Sequence, residues 1–187
     1  MAKKATRDFI VDAADQLFYQ QGFEHTSLSY IADEVKISKG NFYHHFKSKD
    51  KILDAVIHRR LINTQAMLDK WQNEGKKPDE RIKSFINILL INQNKIKKFG
   101  CPVGTLTSEL AKLNHSAQKE ANEIFSLFKN WLSEQFKQLG HTEQADALAM
   151  HILGRSQGVA TLANAFQDQE FISNEVEKIH EWLMQYS

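Results

Sequence analysis

Apolar residues recur at three- and four-residue spacing along most of the chain, in segments cut by glycine, proline and polar runs. That period is the signature of amphipathic helices. It predicts a first helix over residues 5–21, with Phe9, Ile10, Ala13, Ala14, Leu17 and Phe18 on one stripe and Gly22 as its stop. A short second helix carries Leu28, Ile31, Ala32 and Val35 and starts at a cap provided by Thr26 or Ser27. Lys36 and Ile37 make a turn. Ser38 then caps a third helix through His45, with Phe42 and Phe46 turned inward, and Ser48 caps a fourth that runs from Lys49 to about Trp71. Two short helices meeting through a tight turn, the second with a polar and basic outer face, read as a helix-turn-helix able to enter a DNA major groove.

The remainder continues in the same period. Asn73–Pro78 reads as a linker, and Pro78 opens a helix through Ile82, Phe85, Ile86, Leu89 and Leu90 that weakens at Asn92–Asn94 and ends before Gly100. Pro102 marks the next start, which puts Cys101 at or beside its N-cap. Further helices are predicted over about Ser116–Gly140, Glu143–Phe166 and Gln169–Tyr186. The first of these three has a broad apolar face. The second is rich in small residues, among them Ala147, Gly154, Gly158 and Ala160, which allow another helix to approach closely. The third carries Ile172, Val176, Ile179, Leu183 and Tyr186 at alternating spacings of four and three. The expected fold is all-α. A three-helix helix-turn-helix head occupies residues 1–48, and a larger helical domain for effector binding and dimerisation occupies residues 49–187. The last two helices can pair with their copies about a two-fold axis, giving a homodimer.

Composition narrows the picture. The chain has 187 residues, 42% of them hydrophobic, with two prolines and one cysteine. A single cysteine excludes an intramolecular disulfide framework. No apolar run approaches a membrane span, and the N-terminal MAKKATRD lacks the apolar core of a signal peptide, so the cytoplasm is the expected compartment and no membrane partner is expected. Net charge is only +1, yet Lys36, Lys39, Lys47, Lys49 and Lys51 cluster with Asp50 as their one local acid. Positive charge concentrated at residues 36–51 suits a protein that touches DNA with that end. Lys3, Lys4 and Arg7 are further candidates for phosphate contact.

The stretch T-S-L-x-x-I-A-x-x-x-x-I-S-K-G-x-F-Y-H-H-F-x-S-K-x-x-I-L, preceded by LFYQQGF, resembles the TetR family of transcriptional regulators. One departure is Lys36, which stands where that family usually has glycine. The GCPVG run at 100–104, followed by L-x-x-E-L, resembles the LmrA/YxaF-type branch. The resemblance implies that Lys39, Gly40, Asn41 and His44 sit against base edges, while Thr26, Ser27, Tyr43 and Lys49 hold phosphates of double-stranded operator DNA. It also implies two heads spaced about 34 Å apart, or a multiple, to reach successive major grooves.

Twelve phenylalanines and three tryptophans exceed what so small a head can absorb, so the larger domain is expected to hold a small apolar or aromatic effector. Candidate lining residues are Met67, Trp71, Phe85, Leu89, Cys101, Phe128, Trp131, Gln157 and Thr161. A bound effector would bias the helix starting at Lys49 and change the separation of the heads. The leading reading is therefore a repressor released from DNA by such a molecule. An alternative is a thiol-based sensor of oxidants or electrophiles acting through Cys101, because unpaired N–H groups at a helix start favour a negative sulfur. Other classes are a constitutive DNA-binding protein whose body only dimerises, and an interaction protein whose basic helix meets an acidic partner. Catalysis finds no motif: there is no Walker lysine, no G-x-S-x-G and no Rossmann fingerprint. His44 and His45 are adjacent on one helix and cannot chelate one metal together, and neither a metal nor a cofactor is expected.

Overall fold

Three serines begin three consecutive helices. The hydroxyl of Ser27 accepts the Tyr30 N–H at 3.1 Å, that of Ser38 the Asn41 N–H at 3.3 Å, and that of Ser48 the Lys51 N–H at 3.2 Å. Each satisfies one of the amide donors that a helix start leaves without an intrahelical partner. The caps open α2 (Leu28–Val35), α3 (Lys39–His45) and α4 (Lys49–Asn73), which follow α1 (Thr6–Gln21). These bounds come from a computed structural model that describes residues 5–74 and 77–187. Lys3 and Lys4, and Gly75 and Lys76 of the expected linker, lie outside the described residues.

Every regular element among the described residues is helical. After α4 come α5 (Pro78–Ile86), α6 (Ile88–Ile91), α7 (Gln93–Phe99), α8 (Pro102–Lys112), α9 (Gln118–Gln138), α10 (Ala145–Phe166), α11 (Glu170–Leu183) and a final 3₁₀ turn at Met184–Tyr186. The single helix expected after Pro78 is thus three. It bends at Asn87 and Asn92, where ψ relaxes to −9° and 9°. The i to i−4 bonds continue across both places, through Ile91 N–H to Asn87 O and Ile96 N–H to Asn92 O. At the second bend the Asn92 side chain donates to the Ile88 carbonyl at 3.0 Å, a local competition that regular helix geometry does not accommodate.

The chain forms two compact units. One comprises Met1–Ile62 with Thr105–Asn122, and the other Asn63–Gly104 with Glu123–Ser187. The compact units therefore do not divide at residues 48 and 49. The first fourteen residues of α4 belong with the head, because Ile52, Leu53, Val56 and Ile57 are all fully buried in one core with Ile10, Val11, Phe18, Ile31 and Phe42. Leu106, Leu110, Ala117 and Ala121 join the same core from far along the chain. Ion pairs tie α1 to α4: Arg59 to Asp8 and Asp12, and Arg60 to Asp15.

In the second unit α11 packs against α5, α6 and α10. Ile172, Val176, Ile179 and Leu183 are at most 1% exposed within one chain. That stripe, expected to serve a dimer contact, is intramolecular core. What α10 leaves outside is its small-residue face: Ala147, Gly154, Gly158, Thr161 and Ala165 are exposed, flanked by Met150, Leu162 and Phe166. A Cβ added at Gly154 or Gly158 would meet nothing within 4 Å.

The turn between α2 and α3 carries strain. Lys36 adopts φ 57° and ψ 43°, the left-handed conformation that glycine takes most readily, and its N–H closes α2 on Ala32 and Asp33. Lysine is thus accommodated in the turn without displacing it. Replacing it by glycine, Lys36→Gly, should stabilise the chain by about 0.5–1 kcal/mol, since a left-handed non-glycine residue costs about 1–2 kcal/mol and glycine's extra unfolded freedom offsets part of the gain. Chemical denaturation measures the change, and a drop in stability would refute the assignment of strain.

Candidate nucleic-acid interface

A seven-residue helix has too few internal hydrogen bonds to persist alone. α3 is held by its two aromatic anchors: Phe42 is 1% exposed and Phe46 3%, both in the first unit's core, and Phe46 N–H closes the helix on Phe42 O at 3.1 Å. With that face buried, Lys39, Gly40, Asn41, Tyr43 and His44 all face solvent. Tyr43 stands edge-on to Phe42 at 6.0 Å, and His44 edge-on to the half-buried His45 at 5.4 Å. Nothing lies within 4 Å of where a Cβ would stand on Gly40. No neighbour among the described residues requires a glycine there.

The four residues expected on phosphates divide. Ser27 and Tyr43 are exposed. Thr26 is buried, its hydroxyl donating to Gly22 O at 2.7 Å and accepting from Gln21 Nε2 at 3.2 Å, so it fastens the turn after α1 rather than facing outward. Lys49 is also engaged internally: its ammonium donates to Phe23 O at 2.9 Å and Glu24 O at 3.1 Å and lies 4.3 Å from the Phe23 ring centroid. Arg7 lies over the Phe46 ring at 4.8 Å. Sequence spacing finds basic residues near a helix start. It does not tell a brace from a free cation.

All nine residues expected to line an effector site fall in the second unit. Trp71 and Trp131 pair at 5.6 Å, and Phe85 and Phe128 at 5.2 Å. Met67 is half-buried and Leu89 buried. Cys101 is half-buried at the start of α8, where its sulfur accepts the Gly104 N–H at 3.5 Å, and Gln157 reaches so near Gly104 that a Cβ there would lie 2.5 Å from its Oε1. Thr161 does not join them: it is exposed on the small-residue face of α10, because the helical period turns it away from the buried Ala160 and Ala163.

The sequence pattern does not reveal a polar group beside the tryptophans. Gln135 is fully buried, accepts from Arg81 at 3.2 Å, and donates to Gln72 Oε1 at 3.1 Å and to Trp131 O at 3.2 Å. Arg81 Nε and Trp131 Nε1 are buried donors without a hydrogen-bond partner among the described residues. No periodicity argument isolates a glutamine inside an apolar stripe. A surface groove of about 560 Å³ lies elsewhere, in the first unit between α1 and α2, lined by Phe9, Ala13, Leu17, Val35 and Ile37 among others. Among the described residues no group of three or more His, Cys, Asp or Glu could hold a metal ion, and no helix is long and apolar enough to cross a membrane.

Residues 10–56 match the family described as bacterial regulatory proteins, tetR family. Residues 62–177 match the family described as transcriptional regulator LmrA/YxaF-like, C-terminal domain. A helix-turn-helix-type transcriptional regulator in the lacX 3′ region of Lactococcus lactis is 31% identical over 87% of this chain and 85% of its own length. The helix-turn-helix-type transcriptional repressor DhaR of Mycobacterium sp. (strain GP1) is 22% identical over 71% of this chain and 64% of its own. Among solved structures, a TetR transcriptional regulator from Legionella pneumophila superposes with a TM-score of 0.86 at 26% identity, covering 99% of this chain and 98% of that one.

The placement of Lys49 has a measurable consequence. If its ammonium braces the head, Lys49→Met lowers DNA affinity without changing the slope of log affinity against log salt. A slope smaller by about 0.9 would instead put the ammonium on a phosphate. Titrations at several salt concentrations decide between the two.

Proposed function

We propose, on the premise that this chain belongs to the TetR family of bacterial regulatory proteins, that it is a homodimeric repressor released from its operator by a small apolar or aromatic effector. It is a helix-turn-helix transcriptional regulator and not an enzyme. The observation that carries the finer reading is α3: an inner face locked into core by Phe42 and Phe46, and an outer face of exposed donors, acceptors and a bare glycine. Lys39, Asn41 and His44 meet base edges in the major groove of double-stranded DNA, and Gly40 permits close approach. Glycine costs a helix about 1 kcal/mol relative to alanine, and nothing among the described residues accounts for that cost at this position. Ser27 and Tyr43 hold phosphates. Residues 1–48 supply the DNA contacts and residues 49–187 the effector and dimer functions, although the packing units are cut differently. The protein acts in the cytoplasm, where the DNA is.

The last two helices form the dimer contact, and α10 carries most of it. Its exposed face combines glycines four residues apart with Met150 at 51%, Leu162 at 44% and Phe166 at 76% exposure. Such a face lets a second copy's helix approach closely and covers large apolar side chains that a monomer leaves in water. The effector sits among the aromatic pairs of the second unit, and the unpartnered Arg81 Nε and Trp131 Nε1 give its acceptor atoms a fixed orientation. Dissociation follows because the effector binds better to the arrangement whose two heads no longer match the groove spacing.

The DNA test uses duplex flanking the protein's own gene and a scrambled duplex of the same length. Asn41→Ala should reduce discrimination between them, by about 1–3 kcal/mol if the amide makes one bidentate pair with a base. Tyr43→Phe should weaken both about equally. The reverse pattern refutes the assignment of roles. Gly158→Arg should give a monomer by sedimentation and abolish tight operator binding; a dimer that still binds the operator places the interface elsewhere. A screen of small aromatic molecules should find some that raise the melting temperature and release DNA. Release that persists in Cys101→Ser supports the reversible-ligand reading, and release that depends on the thiol supports the electrophile-sensing alternative.

A further inference from the structure

We infer that Glu109 is a positioning residue for operator recognition, holding the turn from which α2 starts; the inference rests on the reading of α3 as the DNA-facing helix. Glu109 is the acid of the L-x-x-E-L run, and its neighbours Leu106 and Leu110 are buried in the first unit's core. One carboxylate oxygen accepts the Phe23 N–H and the other the Glu24 N–H, each at 2.9 Å. Both amides follow directly on the end of α1, where no helical partner is available to them. The carbonyls of the same two residues accept from Lys49. The peptide between Phe23 and Glu24 thus has the carboxylate on its N–H and the ammonium on its C=O, which polarise it in the same sense, so those two bonds reinforce one another.

The surroundings are shaped for this contact. Gly22 has φ +90°, and a Cβ on it would stand 2.9 Å from Glu109 Oε1. The buried Phe23 ring packs edge-on to Phe18 at 5.3 Å and to His115 at 5.2 Å. His115 accepts the Ala117 N–H on Nδ1 at 3.1 Å, and its Nε2 lies 3.5 Å from Asp50 in the first turn of α4. Residues 105–122 thus grip the head at the turn after α1 and at the start of α4. Three residues after Glu24 comes Ser27, the cap of α2, and α2 in turn braces α3. A loosened turn shifts α2, and the row of α3 side chains moves with it.

This role and plain electrostatics predict opposite signs. Removing a negative charge from a DNA-binding unit strengthens its attraction to phosphates. Removing a clamp weakens recognition of one sequence. Glu109→Gln keeps the size of the side chain but turns an amide N–H₂ towards one of the two backbone donors. In the full-length chain it should keep its helicity and speed hydrogen exchange at the Phe23 and Glu24 amides. Operator affinity should fall roughly tenfold while scrambled-duplex affinity is unchanged or slightly higher, a drop of the size expected for a hydrogen bond to a charged group. Glu109→Asp keeps the charge and shortens the reach, and should show the same selective weakening; it decides the matter if the glutamine variant does not fold. Variants that bind the operator as tightly as the wild type, with exchange at Phe23 and Glu24 accelerated, overturn the proposal alone. A wild-type chain that prefers no duplex overturns the DNA reading first.

Discussion

The burial of Phe42 and Phe46 is the constraint on which the recognition surface depends. α3 makes only about two turns, with glycine as its second residue, and its own hydrogen bonds cannot hold it folded. Two phenylalanines sunk to 1% and 3% exposure fix both its position and its rotation about its axis. Once that rotation is set, the exposure of Lys39, Asn41, Tyr43 and His44 follows from the helical period. Burying a phenylalanine side chain is worth about 1.5–3 kcal/mol, which exceeds the roughly 1 kcal/mol at stake in the Ser38 cap. Packing therefore decides where the helix lies, and the cap decides where it begins.

Around that anchor the head is held by charge-assisted contacts rather than by further apolar area alone. Arg59 and Arg60 tie α4 to α1, while Lys49 and Glu109 grip one turn from its two polar sides. The modest net charge of +1 reflects near-equal numbers of cations and acids, 24 against 23. Several of the chain's cations serve internal contacts. Lys36, Lys39, Lys47 and Lys51 remain exposed around α3 and the start of α4.

The second unit divides its apolar surface between two tasks. α11 commits its stripe to the interior, and α10, which packs on both α7 and α11, still keeps a face of glycine, alanine and exposed Met150, Leu162 and Phe166. Aromatic pairs and a buried glutamine network occupy the space near α4, α5 and α9, where buried donors remain unpaired. Unpaired buried donors are costly in a finished core, and a ligand acceptor would relieve that cost.

The sequence by itself determined the all-helical class, the serine starts at 38 and 48, a cap at Thr26 or Ser27, the inward turn of Phe42 and Phe46, and the family. These are local matters of period, capping chemistry and a dense motif, readable without any partner in space. It also marked the small-residue helix and the residues of the aromatic pairs. Only the tertiary structure decided which apolar stripe is core and which is surface, because Ile172 to Leu183 and the α10 face both read as amphipathic. It alone showed Thr26 buried, Lys49 turned onto two carbonyls, Gln135 inside, and Glu109 joined to residues 85 and 86 positions away. The reason is the same in each case. A side chain's partner is chosen by proximity in space, and a one-dimensional pattern records the face on which a residue lies but not what stands opposite it.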